Sequence, residues 1–193
     1  MTLIDSRLGI GEAWRVLAAE TGVPVDVDRV VSRLGPPLED ELAEWFPAAD
    51  IVRLAARYRE IYPEYAVSGT IALPGAHDAL SAVHRHGGRT LVVTAKARSN
   101  AELHVRHLGL AVDEVVGQLW SDGKAAALRE HGARVYVGDH VGDIRGAHAA
   151  GALSVAVATG PVSAVDLRAA GADVVLDDLT AFPAWLDAYV EAA

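Results

Sequence analysis

The chain has 193 residues, of which 51% are hydrophobic and 22% charged, and its net charge is −9. This length and composition are typical of a globular protein with one domain or slightly more. The charge argues against a nucleic-acid partner, and no apolar run approaches the ~20 residues that span a membrane. The chain has no cysteine and no secretory signal pattern at its start, so we expect a cytoplasmic protein.

The first third of the chain, from about residue 8 to residue 71, is predicted to contain only helices. Apolar residues recur there at helical spacing, and the stretches ETGVP, LGPP and FPAAD separate them. The apolar faces consist of Ile10, Trp14, Leu17 and Ala18, then Leu38, Leu42 and Trp45, then Val52, Ala55 and Tyr58. The pattern predicts a small unit of about four helices.

After this unit the pattern alternates between short β-branched runs and helical segments. Strands are predicted at residues 90–94, 115–120, 134–139, 153–159 and 173–179. Helices are predicted at about 75–87, 99–108, 123–131, 143–150, 162–170 and 180–191. Apolar strands that alternate with helices indicate a parallel sheet covered on both faces. Ligands of such sheets bind beyond the carboxyl ends of the strands, so polar residues there are the site candidates.

The stretch RVYVGDHVGD, residues 134–143, is the most informative strand end. Asp139 follows the strand, and Asp143 lies four residues later at the start of a helix. Two close carboxylates repel each other unless a cation offsets their charge. Mg²⁺ prefers oxygen ligands and usually keeps open positions for water and phosphate oxygens. The alternative is that Asp143 caps its helix and Asp139 begins a turn.

Two other loops offer groups that suit a phosphate. Thr94 follows the strand in TLVVTAKARSN and provides a hydroxyl beside backbone N–H groups. Lys96 lies two residues later, and Lys124 precedes a helix in SDGKAAALRE. Each signal is weak alone, because threonine is a common strand residue and most lysines are simply solvated.

The order of these residues resembles that of the haloacid dehalogenase-like superfamily of phosphohydrolases. Thr94 matches the second motif, Lys124 the third, and Asp139 with Asp143 the fourth. The stretch LGPPLEDEL in a helical insert resembles the phosphoglycolate phosphatase-like branch, which has a small helical cap. One departure is Ala125, where many relatives carry proline after the lysine.

The resemblance implies an α/β fold with a Rossmann-like parallel core and an inserted helical cap. The core corresponds to residues 1–7 and 72–193, and the cap to residues 8–71. The family's first motif, Asp-x-Asp-x-Thr, ends the first strand and often continues into the sequence TLxDS. Here TLIDS begins at Thr2, so both aspartates and the first strand would precede residue 1. We therefore expect the natural protein to begin upstream of Met1, since Asp5 lies too far along to replace the nucleophile.

The implied activity is that of a Mg²⁺-dependent phosphatase acting through an aspartyl-phosphate intermediate. Its substrate is a small phosphorylated metabolite, similar to phosphoglycolate, and the 193-residue chain itself is expected to be inactive. The implied site residues are Thr94 and Lys124 for catalysis, Thr2, Thr94, Ala95, Lys96 and Lys124 for the phosphate, and Asp139 and Asp143 for the metal.

Other interpretations stay open. A phosphosugar mutase or a dehalogenase of the same superfamily is possible, although a dehalogenase would not need the pair of Asp139 and Asp143. A non-catalytic protein that binds a phosphorylated ligand or a protein partner is favoured if Met1 is the natural start. The sequence carries no signal for oligomeric state.

The histidines are weaker candidates. His104 and His107 have a spacing found in metal sites, but solvated helix residues are the commoner case. His140 lies between the two acids and could touch a substrate or the groups that surround the metal. Trp14 is predicted to belong to the core.

Overall fold

The computed structural model describes residues 1–192. Its first part is a helical unit entered and left by two short strands. The elements in chain order are β1 (Ile4–Asp5), α1 (Arg7–Thr21), α2 (Val27–Ser32), α3 (Leu38–Ala43), α4 (Ile51–Tyr65) and β2 (Ile71–Ala72). The predicted number of four helices is confirmed. Strands β1 and β2 pair antiparallel, so the two connections to the helical unit run side by side.

The helical unit has an apolar core of its own. Trp14 and Leu17 of α1 and Leu54 of α4 are at most 2% exposed and belong to one cluster. Trp14 is therefore a core residue, as predicted. The prediction for Val52 is wrong, because this side chain is 82% exposed. The buried stripe of α4 runs through Leu54, Tyr58 and Ile61, and residue 52 lies outside that stripe.

The second part of the chain alternates strands and helices. Its elements are α5 (Ala76–Arg85), β3 (Leu91–Val93), α6 (Arg98–His107), β4 (Glu114–Val116), α7 (Lys124–Glu130), β5 (Val135–Gly138), α8 (Val141–Ala150), β6 (Leu153–Val157), α9 (Ala164–Ala169), β7 (Val174–Leu176) and α10 (Phe182–Glu191). The five predicted strands and six predicted helices are confirmed. Most are shorter than predicted, whereas α8 begins two residues earlier and α6 is shifted by one residue. The predicted α/β class with parallel pairing is also confirmed.

The parallel strands form two separate sheets. Strand β3 pairs with β4, and β5, β6 and β7 form a three-stranded sheet in that order. Within residues 1–192, no ladder joins β3 to β5, although a side chain bridges them. The Tyr136 hydroxyl on β5 donates to the Val93 carbonyl on β3 over 3.0 Å. Adjacent strands lie ~4.8 Å apart, so one intervening strand would separate its two neighbours by ~10 Å. A tyrosine side chain and one hydrogen bond together span about this distance.

Apolar side chains from both sheet faces surround the gap. One cluster includes Leu80 of α5 and Leu186 of α10, and another includes Leu128 of α7 with Tyr136. In the part of the chain that the structure describes, no helix is both long enough and apolar enough to cross a membrane.

Candidate active site

The residues predicted from the sequence lie around one cavity of about 940 Å³. The cavity is lined by residues of β3 and β5 and by the loops that follow these two strands. All seven predicted site residues line it, namely Thr2, Thr94, Ala95, Lys96, Lys124, Asp139 and Asp143. The structure therefore brings together residues that are up to 141 positions apart in the chain.

A buried ion pair lies at the centre of this cluster. Lys124 begins α7, and its Nζ lies 2.6 Å from Oδ1 of Asp143 in the first turn of α8. The Lys124 side chain is 7% exposed and that of Asp143 is 9% exposed. Nζ also donates to the Tyr136 hydroxyl over 3.1 Å. A lysine ammonium has three N–H donors, so one remains for a ligand oxygen.

The other oxygen of Asp143 organises the loop before α8. Oδ2 accepts the backbone N–H groups of Asp139 and His140, each over 3.2 Å. The helix-capping interpretation of Asp143 is thus correct, and it holds together with the ion pair. Gly138 permits this approach, since a Cβ at residue 138 would lie 2.3 Å from the Cβ of Asp143.

Asp139 lies at the carboxyl end of β5 and binds the start of the chain. Its Oδ1 accepts the Thr2 hydroxyl over 2.8 Å, and its Oδ2 forms an ion pair with the α-amine of Met1. The Met1 carbonyl accepts the Thr159 hydroxyl over 2.6 Å. The first two residues are thereby held beside the carboxyl end of β5, and a cationic group already lies against Asp139.

Thr94 follows β3 on the opposite side of the gap. Its N–H donates to the Val116 carbonyl over 3.0 Å and so extends the ladder with β4 by one bond. Its hydroxyl oxygen accepts the Lys96 N–H over 3.2 Å. The hydroxyl proton of Thr94 is then available to a ligand oxygen.

The donor set fits Mg²⁺ in its chemistry. Residues 1–192 contain no group of three or more metal-binding side chains. Asp139 directly follows β5 and Asp143 lies in the first turn of α8, where its Oδ2 accepts the Asp139 N–H. Mg²⁺ is typically bound by one or two carboxylates, with water and phosphate oxygens as its other ligands. Two carboxylates are therefore sufficient.

Two aromatic residues of the site were missed by the sequence analysis. Burial, together with the charges of Asp143 and Asp139, raises the pKa of Tyr136 well above its usual value, so its hydroxyl stays protonated. The ring of Trp120 lies 5.9 Å from Lys124 Nζ and 5.1 Å from the ring of His140. A tyrosine inside a strand is ordinary, so no sequence signal could distinguish Tyr136 from a core residue.

The structure also corrects and places the remaining candidates. The expectation of a solvated His104 is wrong, because this residue is 1% exposed and its Nε2 lies 2.8 Å from the Tyr62 hydroxyl. The Nδ1 atom of His140 accepts the Gly142 N–H over 3.0 Å. Asp5 forms an ion pair with Arg7 and does not line the cavity.

Comparison with known families identifies the fold and its lineage. The model of the haloacid dehalogenase-like hydrolase family matches residues 1–148. The chain belongs to this family. A second model, described as HAD-hydrolase-like, matches residues 122–182. The haloacid dehalogenase-like motifs in the sequence thus coincide with the cavity residues. No curated protein matches the chain at a significant level.

Solved structures share the same fold. A haloacid dehalogenase-like hydrolase from Streptococcus pneumoniae is 24% identical, with a TM-score of 0.80 over 98% of this chain and 93% of that one. A protein from Haemophilus somnus, described as a predicted phosphoglycolate phosphatase, is 18% identical, with a TM-score of 0.76 over 93% and 91%. A family hydrolase from Deinococcus radiodurans with bound phosphate and sodium is 22% identical, with a TM-score of 0.64 over 98% and 91%.

Proposed function

We propose that this haloacid dehalogenase-like chain is the phosphate- and metal-binding part of a Mg²⁺-dependent phosphatase. Its substrate would be a small phosphorylated metabolite similar to phosphoglycolate. The observation that carries this proposal is the arrangement of Lys124, Thr94 and the two aspartates Asp139 and Asp143 around one cavity. A structural neighbour described as a predicted phosphoglycolate phosphatase supports the substrate class.

Each of the seven predicted site residues has a role in this proposal. Lys124 neutralises a phosphate oxygen with its third N–H, while Asp143 and Tyr136 hold its ammonium in place. Thr94 donates its hydroxyl to a second oxygen, and the backbone at Ala95 lies beside it. Thr2, Ala95 and Lys96 complete the predicted phosphate-binding set. Fixed donors of this kind stabilise the charge of a phosphoryl group in its transition state.

Asp139 and Asp143 would hold the metal. When bound, Mg²⁺ offsets the charge of the phosphate and of the two carboxylates. In the chain that begins at Met1, Asp139 would exchange its contact with the α-amine for the ion. In an extended chain, residue 1 has no free amine and this contact is absent.

The nucleophile is proposed to lie outside the 193 residues. Among the acids at or near the site, Asp143 is paired with Lys124, Asp139 with Met1 and Asp5 with Arg7. The gap between β3 and β5, which no ladder closes within residues 1–192, supports a further strand that carries the nucleophile. Such a strand would run parallel to both neighbours and end in Asp-x-Asp beside Lys124.

Hydrolysis of the phosphate ester then proceeds in two steps. The first aspartate attacks phosphorus, the ester P–O bond breaks, and the second aspartate gives a proton to the departing alkoxide. Water next attacks the aspartyl phosphate, the second aspartate accepts its proton, and inorganic phosphate leaves. Residues 8–71 are proposed to form the cap that shapes the substrate pocket over the core of residues 1–7 and 72–193.

The test is hydrolysis of p-nitrophenyl phosphate with and without Mg²⁺. We expect no turnover by the 193-residue chain. A variant extended before Met1 by five apolar residues and Asp-Leu-Asp should hydrolyse the ester. The matched control carries Asn in place of the first added aspartate and should be inactive. The proposal fails if the unextended chain has full Mg²⁺-dependent activity, or if the extended chain folds and has none.

The second candidate is a non-catalytic protein that binds a phosphorylated ligand. The ion pairs of Asp5, Asp139 and Asp143 favour this candidate, because they leave none of these carboxylates free to act as the nucleophile. This candidate predicts Mg²⁺-dependent phosphate binding by both the original and the extended chain, with turnover by neither.

A further inference from the structure

Both lysines of the chain line the cavity of the candidate active site. They are Lys96 and Lys124, among 17 lysines and arginines in total. Lys124 is paired with Asp143, as described above. Lys96 is half-buried, and no carboxylate pairs with it within residues 1–192. Its Nζ lies 5.7 Å from the centre of the Tyr62 ring. A half-buried cation without an acid partner suits an anionic ligand.

Tyr62 is held beside Lys96 by a buried histidine. Tyr62 lies on α4 of the helical unit, and His104 lies on α6 of the core. The Tyr62 oxygen and His104 Nε2 are 2.8 Å apart. Tyr62 is 3% and His104 1% exposed, and both line the cavity, so this contact joins the two parts of the molecule away from the protein surface.

The protonation of this pair follows from an unpartnered atom. His104 Nδ1 is buried and has no hydrogen-bond partner within residues 1–192. A buried N–H without an acceptor is rarer than a buried acceptor without a donor, so we assign the unprotonated state to Nδ1. The ring proton then lies on Nε2 and is donated to the Tyr62 oxygen. The hydroxyl proton of Tyr62 is left free for another acceptor.

The electrostatics agree with a neutral ring. Burial, reinforced by the positive charge of Lys96, lowers the pKa of His104 to about 4. At neutral pH, His104 is therefore a neutral donor, and Lys96 is the cation of this cluster. The amide of Asn100, a buried residue, lines the same cavity and adds polar atoms to it.

We propose that Tyr62 and Lys96 bind a carboxylate of the substrate, with His104 positioning the Tyr62 hydroxyl. One carboxylate oxygen accepts from the Lys96 ammonium and the other from the Tyr62 hydroxyl. This inference rests on the proposed function, in which Lys124 and Thr94 bind the phosphate. It reassigns Lys96 from the phosphate to the far end of the substrate and makes the helical unit a direct contributor to specificity.

The alternative is that Tyr62 and His104 only join the helical unit to the core. In that case, loss of the hydroxyl would reduce stability but would not change the ratio of affinities for ligands with and without a carboxylate. Phosphoglycolate and ethyl phosphate provide this comparison, because they have the same phosphate and nearly the same length.

The experiment uses lysine labelled with ¹³C at Cε in the 193-residue chain, which gives two lysine side-chain signals. Lys96→Gln removes one signal and thereby assigns both. Inorganic phosphate, ethyl phosphate and phosphoglycolate are titrated separately in the presence of Mg²⁺. We expect the Lys124 signal to shift with all three and the Lys96 signal to shift with phosphoglycolate alone.

Two variants test the residues themselves. Tyr62→Phe should weaken phosphoglycolate binding about tenfold and leave ethyl phosphate binding unchanged, because one hydrogen bond to a charged group is lost. His104→Gln should weaken phosphoglycolate binding less than Tyr62→Phe does, since the amide N–H of the glutamine can restore the hydrogen bond to the Tyr62 oxygen.

The outcomes separate the two proposals. The carboxylate site is overturned by any of three results. These are equal affinities for phosphoglycolate and ethyl phosphate, a Lys96 signal that does not shift with phosphoglycolate, and a ratio of the two affinities that Tyr62→Phe leaves unchanged. A Lys96 response to phosphoglycolate without any Lys124 response retains the carboxylate site and overturns the phosphate assignment. If neither the Lys96 nor the Lys124 signal shifts with any ligand, the carboxylate site and the phosphate assignment are both overturned.

Discussion

The hydroxyl of Tyr136 donates to the carbonyl of Val93 over 3.0 Å and so joins two sheets that share no ladder. The same hydroxyl accepts from Lys124. One side chain thus satisfies a strand carbonyl beside the gap and an ammonium in the site.

Tyr136→Phe is expected to destabilise the chain by about 1–3 kcal/mol, because it leaves buried polar groups at Val93 and Lys124 without a partner. Urea unfolding followed by circular dichroism measures the loss. Tyr189→Phe is the matched control, since Tyr189 stacks on Trp185 and its hydroxyl has no hydrogen-bond partner within residues 1–192. An equal loss in both variants would show that the bridge contributes nothing.

Lys124→Met should destabilise the chain by about 3–5 kcal/mol, because it leaves the buried Asp143 carboxylate without its cation. The double variant Lys124→Met/Asp143→Asn should lose less than the sum of the two single variants. A double-mutant cycle from urea unfolding measures this coupling. Strict additivity would mean that the two charges do not stabilise each other.

Gly138→Ala should destabilise the chain by roughly 2 kcal/mol or more, because the added methyl group collides with Asp143. It should also weaken Mg²⁺-dependent phosphate binding measured by calorimetry. Gly123→Ala is the control, since a Cβ there meets no atom within 4 Å and its φ is −59°. Similar behaviour of the two variants would contradict the close packing of β5 against Asp143.

The stability of the chain should fall as the pH is lowered from about 6.5 to about 4. The pKa of His104 is lowered to about 4 in the folded chain, from a usual value of 6.5. Between these two pH values the unfolded chain binds more protons than the folded chain, so the free energy of unfolding increases with pH. Above about pH 6.5 this contribution to stability is fully present. The difference amounts to at most about 3 kcal/mol. Urea unfolding at several pH values should show this slope, and His104→Gln should remove that part of it.

Much of the fold was predictable because each strand is a short apolar run between helical segments. The motif residues Thr94, Lys124, Asp139 and Asp143 were identified from their order along the chain. Their convergence on one cavity follows from parallel pairing, which brings all strand ends to the same edge.

Other features depend on contacts that have no local signal. The bridge made by Tyr136 and the burial of His104 require partners 43 and 42 residues away, at Val93 and Tyr62. Val52 fits helical spacing, but the face of α4 that packs is chosen by α1 and α3. Spacing alone cannot fix the direction of an apolar stripe that is interrupted in this way.

The most direct test of the central claim is the location of the phosphoryl group during turnover. The extended chain is mixed with substrate and Mg²⁺, quenched in acid, digested and analysed by mass spectrometry. We expect one phosphoryl group on the first aspartate of the added strand and none on residues 1–193. A phosphoryl group on Asp5, Asp139 or Asp143, or turnover that proceeds without any phosphorylated protein, would contradict it.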